Sequence, residues 1–169
     1  MRHPRQLREG ARYHVTGRIN RQEPELEAKA MKEEFLEVVR RAKQKYSFQI
    51  ENFCIMGNHF HFLIMPAKGE CLSDIMRWIM SVFAMRYNKI NNFHGHVWGE
   101  RFFSRIVDGF ADYLRIFAYI CNNPAKAGCI TGSVKKWEYG GAGHYFADRH
   151  DILGILEEWI SKLYEYAAG

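Results

Sequence analysis

The sequence predicts an α+β fold: a ferredoxin-like split βαβ sandwich, with an antiparallel sheet, helices on one face and a tyrosine-bearing helix towards the C-terminus. Three observations lead there. Segments of two-residue alternation and segments of three- and four-residue periodicity follow in the order strand, helix, strand, strand, helix, strand. Only Gly57-Asn58 separates the two middle strands, as a two-residue hairpin turn does. The chain has 169 residues, 47% of them hydrophobic, with no Ser/Gly/Pro-rich divider, which suits one domain around one core.

The elements are taken in chain order. Ala11 to Ile19 alternates through Tyr13, Val15 and Ile19 and forms the first strand. Pro24 suits a first helical turn; Leu26, Ala30, Met31, Phe35, Leu36, Val38 and Val39 then recur at helical spacing, with basic residues late, as the helix dipole favours. Phe48 to Met56 and His59 to Met65 are the two arms of the hairpin. Leu72 to Ile90 carries an apolar stripe of Ile75, Met76, Ile79, Phe83 and Tyr87, a core face. Asn91 to Gly99 is a loop, and Phe102 to Val107 a short fourth strand. A third helix, Tyr113 to Cys121, is expected to end near Asn123, because the residue before Pro124 is pushed out of helical space. A last helix spans Asp151 to Tyr166. The domain divides into a basic arm (1–12), a core (13–130) and a C-terminal extension (131–169).

Composition narrows the classes of function. No run of 18 apolar residues is present and the N-terminal region is arginine-rich, so the expectation is a cytoplasmic, nucleoid-associated protein with no membrane contact. The four cysteines form no C-x-x-C pattern and read as reduced packing residues. A balance of 24 basic to 19 acidic residues hints at a polyanionic partner. Arg2, Arg5, Arg8 and Arg12 crowd one end, and a second basic group includes Arg101, Arg105, Arg115 and Lys126. Each run reads either as a solvated face or as a phosphate track.

Two stretches carry chemistry. In "CIMGNHFHFLIM" a strand sends His59 and His61 to one face, about 7 Å apart at Cα, and Phe60 and Phe62 to the other. The apolar row of Phe60, Phe62 and Ile64 belongs to the helix-covered core, which leaves the histidines on the opposite, open face. Such a pair is either two hydrogen-bonded imidazoles or two ligands of one metal ion. A rival H-x-H, His94-Gly95-His96, lies in a loop that enforces no common face. There Trp98 is either packed or a stacking surface, with Arg101 as a phosphate contact. In "RIFAYICNNPAKAG", Tyr119 and Asn123 stand one helical turn apart on a shared face. Asn123 is either a plain helix terminator or a neutral oxygen ligand, with the Tyr119 hydroxyl facing whatever an ion binds.

"MGNHFHFLIMP", "GHVWGERFFSRIV" and "YICNNPAKAG", in that order, resemble the motifs of the single-tyrosine HUH transposases, an IS200-like family, and specifically its REP-associated tyrosine transposase group. Members tend to read M-P-N-H-x-H, then G-x-L-W-Q-x-R-F, then Y-I-x-x-N-P-x-R-A-G. The resemblance extends from about Tyr13-His14 to Gly128. It implies a metal-dependent endonuclease and transposase that cleaves and rejoins single-stranded DNA, hairpin or palindromic, through a 5′-phosphotyrosine. By position it implies Tyr119 as nucleophile and His59, His61 and Asn123 as ligands of Mg²⁺ or Mn²⁺; the charge pattern and the loop tryptophan add Arg5, Arg8, Arg12, Trp98, Arg101 and Lys126 as candidate DNA contacts. Gly57, Glu100 and Lys126 replace the family's usual proline, glutamine and arginine. Both homodimers and single chains occur in the family, and this sequence leaves both open. The alternatives are a non-catalytic nucleic-acid-binding module on the same fold, and a phosphodiesterase that activates water and has no need of Tyr119.

Overall fold

The computed structural model describes residues 4–169; Arg2 and the start of the basic arm lie outside the described residues. Strands β1 (Tyr13–Arg18), β2 (Phe48–Ile55), β3 (His59–Pro66) and β4 (Phe103–Ile106) form one antiparallel sheet in the order β2-β3-β1-β4. Helices α1 (Lys29–Lys45) and α2 (Leu72–Asn91) supply the crossovers of the two interleaved βαβ units. This is the split βαβ arrangement the element order predicts.

The face under α1 and α2 holds the core. Phe35 of α1 meets Phe60 at 4.9 Å, Phe62 at 6.0 Å and Phe83 of α2 at 5.2 Å between ring centroids. All four rings are fully buried. Full burial of a side chain this size stabilises by about 2–3 kcal/mol. Gly17 pairs with Phe60 across the strands, and a Cβ there would lie 2.3 Å from the phenyl ring, so glycine is what lets Phe60 lie over β1.

Local rules are overridden at three helix boundaries. Helix α1 begins at Lys29 rather than Pro24. The preceding backbone is used elsewhere: the Leu26 N–H donates to the Gly57 carbonyl and ties this segment to the hairpin turn. Helix α3 (Gly109–Lys126) does not end before Pro124 but continues through it. Asn123 and Pro124 are both buried, and their packing outweighs the preference of a pre-proline residue for extended backbone. Past the core, the extension forms a short α4 (Gly141–Phe146) and then α5 (Glu158–Ala168), instead of one helix from Asp151. The glycines of "GGAGHYF" look like loop, yet α4 requires them: a Cβ on Gly143 would sit 2.1 Å from the Trp137 carbonyl oxygen.

The second face of the sheet is not open, because α3 lies across it. A register irregularity in β2 between Ile50 and Asn52 sets two neighbouring side chains towards that helix. The Asn52 amide donates to the Phe117 carbonyl, and Glu51, buried, accepts from the Tyr113 hydroxyl at 3.0 Å and from Arg12 Nε at 2.9 Å. From the extension, Tyr164 donates its hydroxyl to the Glu51 carbonyl at 2.7 Å, and Glu157 pairs with Arg12. Helix α3 is thereby held against the sheet of its own chain by β1, β2 and α5.

Candidate active site

Strand alternation delivers three histidines to the α3 side of the sheet. His59 and His61 come from β3, and their rings stand 5.1 Å apart, edge to face. His14 comes from β1, stacked on His61 at 5.2 Å. His61 is 2% exposed, so it is a covered residue and not a surface one. Its Nδ1 faces His14 Nε2 at 3.0 Å and Thr16 Oγ1 at 3.1 Å, whereas its Nε2 is buried with no hydrogen-bond partner. His59 Nδ1 faces the Asn58 amide oxygen at 2.7 Å; an amide oxygen only accepts, so the proton is on Nδ1 and the lone pair on Nε2.

Burial keeps these rings neutral. It lowers His61 to about 3, with the charges of His14, His59 and Arg18 acting in the same direction. His14 falls to about 4 through burial and the nearby Arg105, against a smaller pull from Asp112. His59 is lowered by burial and then Arg18, opposed by a hydrogen bond with Asn123. His59, with its Nδ1 proton engaged, offers a lone pair at Nε2, the form in which neutral histidine ligates a metal, and His61 holds its Nε2 free of partners.

Helix α3 brings the other half. Tyr119, Asn123 and Lys126 recur at four and three residues and so share one face. The Tyr119 ring lies 5.3 Å from His61 and 6.0 Å from His14, in both cases edge-on, and is 39% exposed. Lys126 Nζ is 5.6 Å from the Tyr119 ring centre. Asn123, 8% exposed, lies near enough to His59 to act on its ring. Among the described residues no three His, Cys, Asp or Glu side chains gather in a metal-binding arrangement. Two imidazoles, one with an orphaned Nε2, and an amide fit a divalent cation that keeps open positions for phosphate and water.

The residues expected to contact DNA divide. Arg8 and Arg101 are exposed, as is Lys126. Arg5 is half-buried: its guanidinium lies 3.6 Å over the Phe102 ring and donates to the Phe102 carbonyl. Arg12 is engaged in the ion pairs with Glu51 and Glu157 that hold α3. Trp98 is partly buried and packs against the core, with Nε1–H donating to the Met80 carbonyl and its ring against Phe60 and Phe83 at 5.6 Å. His94 and His96 stay exposed on their loop, away from the histidine cluster. Of the cysteines, Cys54 and Cys121 are buried as expected, while Cys129 is exposed.

Sequence reasoning missed two residues. His14 carries a signal in hindsight, since it alternates with Tyr13 and Val15 and so must share a sheet face with any histidine paired across from it. Phe103, 61% exposed on β4, is visible only once the register is known.

Comparison with known proteins agrees with this geometry. The family model described as "Transposase IS200 like" matches residues 8–123, which span β1 to Asn123 in α3. No curated relative matches. Among solved structures, a REP-associated tyrosine transposase bound to a REP hairpin is similar at a TM-score of 0.73 and 19% identity, over 87% of this chain and 86% of that one. A candidate transposase from Deinococcus radiodurans R1 is similar at a TM-score of 0.51 and 14% identity, over 72% of this chain and 97% of that one. At these identities the two structures speak for the fold, and the family model for the lineage: the chain belongs to the IS200-like transposases.

Proposed function

We propose that this protein cleaves and rejoins single-stranded DNA with Tyr119 as the nucleophile. The observation that carries the reading is the half-exposed Tyr119 ring standing 5.3 Å from His61, whose Nε2 is buried and unpartnered. The Tyr119 oxygen attacks phosphorus in line, the P–O3′ bond breaks, and a 5′-phosphotyrosine and a 3′-hydroxyl result. The leaving oxygen takes a proton from solvent, and the phenol proton departs to solvent. His14 is too weakly basic to collect it. Because the new ester keeps the energy of the broken bond, a 3′-hydroxyl can reverse the step without ATP.

His59, His61 and Asn123 would hold Mg²⁺ or Mn²⁺, which when bound supplies Lewis-acid charge at the non-bridging oxygens. Lys126, over the Tyr119 ring, is placed to neutralise the same phosphate. A flexible single strand reaches a site between sheet and helix more readily than a duplex does. Hairpin DNA with an unpaired foot is the substrate we favour, supported by the hairpin bound to the structural relative.

The test is covalent capture. Wild-type protein, Mn²⁺ and end-labelled hairpin DNA should give an adduct on a denaturing gel, and Tyr119→Phe should give neither adduct nor cleavage while still binding DNA. Cleavage that survives in the phenylalanine variant identifies a water-activating phosphodiesterase. Binding without cleavage in both proteins identifies a non-catalytic module.

A further inference from the structure

Trp98 is partly buried, with its indole N–H taken by the Met80 carbonyl, and the sheet offers a more exposed aromatic ring. On the α3 side of the sheet, His61 pairs with Thr16 and Thr16 pairs with Phe103, so the three form one row across β3, β1 and β4. With strands about 4.8 Å apart, Phe103 stands about 10 Å from His61 along that row. An exposed phenylalanine by itself is ordinary on a protein surface. The surroundings of Phe103 are not. It borders a cavity of about 560 Å³ whose wall includes Thr16, Arg18, Arg21 and Arg101, with Glu100 as the only acid. Thr16 is also the residue at 3.1 Å from His61 Nδ1, so cavity and histidine cluster share a wall.

The charges there are uncompensated. Among the described residues, Arg18, Arg21 and Arg101 form no salt bridge, unlike Arg12, Arg40, Arg86 and Arg105. The positive charge of Arg18 reaches both ligand-type histidines and lowers their proton affinity. Arg21 adopts a left-handed backbone, φ 53°, an uncommon conformation for a residue with a side chain. Three unpaired guanidiniums around an exposed aromatic ring match a polyanion whose bases are free to stack. A folded protein surface or a lipid headgroup offers no such planar partner beside each phosphate.

We propose that Phe103 is the stacking platform for an unpaired DNA base beside the scissile phosphate, with Arg18, Arg21 and Arg101 gripping the phosphates of that strand. The assignment rests on the reading of Tyr119 and the histidines as a DNA-cleaving site, and extends it by a binding subsite across β1.

The experiment uses hairpin DNA with 2-aminopurine placed in turn at each unpaired position, bound to Tyr119→Phe protein so that no cleavage intervenes. Stacking quenches the fluorescence at one position and not at the others. Phe103→Leu, at an exposed site that leaves packing intact, should abolish that quench and weaken binding roughly tenfold, as expected for the loss of one base stack. Phe103→Trp should restore both. Arg18→Gln and Arg101→Gln should each reduce the salt dependence by about 0.7 log units per decade. Unchanged quenching and affinity in Phe103→Leu would overturn the subsite. The parent reading fails separately: a wild-type protein that forms no adduct, yet shows the Phe103-dependent quench, retains the subsite and loses the chemistry.

Discussion

His61 and His144 are alike in isolation and opposite in setting. Each is almost fully buried, at 2% and 1% exposed, and neither His61 Nε2 nor either nitrogen of His144 makes a well-formed hydrogen bond. Burial pushes both down, to about 3 and about 4. Around His61 stand two further imidazoles, a half-exposed phenol, and a cavity behind Thr16. Around His144, in the C-terminal extension, stand the Phe53 ring at 4.9 Å and the Asp151 carboxylate at 3.7 Å, itself claimed by Arg40. The difference teaches that a depressed histidine is not a site by virtue of its depression. Converging donors and a way in make the first the candidate site, and their absence makes the second a packing residue.

The contrast breaks most sharply on metal binding. His61→Ala should eliminate Mn²⁺ binding by calorimetry and lower stability by about 2 kcal/mol, since it empties a buried position. His144→Leu should leave Mn²⁺ binding unchanged; if it also abolished binding, the distinction drawn here would collapse. Next in size is His14. Replacing the group that faces His61 Nδ1, as in His14→Phe, should weaken Mn²⁺ affinity about 10- to 100-fold, with His59 and His61 intact. Equal affinity would demote His14 to a neighbour.

A smaller effect is read by acid titration. His144 has a folded value near 4 against an ordinary value near 6.5, so between these the unfolded chain binds more protons. Its contribution is therefore fully present above about pH 6.5 and is lost as pH falls towards 4, at up to about 1.4 kcal/mol per pH unit. His61 and His14 act with the same sign. Urea melts of His144→Leu should show a shallower decline over that window than wild type, and a parallel curve would mean that His144 titrates alike in the folded and unfolded chain. The smallest change comes from the arm. Deleting residues 1–8 removes Arg5 and Arg8, and should lower the salt slope of DNA binding by about 0.7 per lost contact while touching neither histidine.

Much of this was legible in the sequence, and the exceptions share a cause. The element order, the hairpin at Gly57-Asn58 and the split of Phe60 from His61 follow from period and turn chemistry, which are local. So does the shared face of Tyr119 and Asn123. Non-local facts escaped. The burial of Trp98 depends on how the loop before β4 docks on α2. The closing of the sheet's second face depends on α5 reaching Glu51, a partner 113 residues before Tyr164. Phe103 and His14 are brought into line with His61 through strand register, which no window along the chain contains. Helix α3 running through Pro124 shows the same rule at a boundary: burial decided what local preference opposed.

The fastening of α3 bears on what happens after cleavage. Tyr164 and Glu157 pin Glu51 and Arg12, and these hold Tyr113 six residues before Tyr119. On the reading proposed, the 5′ end that Tyr119 captures is tethered to a helix docked on its own sheet, facing the 3′-hydroxyl it has just left. Two ends so confined meet at a high effective concentration, so resealing the original strand outpaces joining a new one. Transfer to a different DNA end then requires either that the first 3′ end be drawn away or that α3 leave the sheet and break the Tyr113–Glu51 and Asn52–Phe117 links. The C-terminal extension would thus act as a latch that sets how often a nick is healed rather than moved.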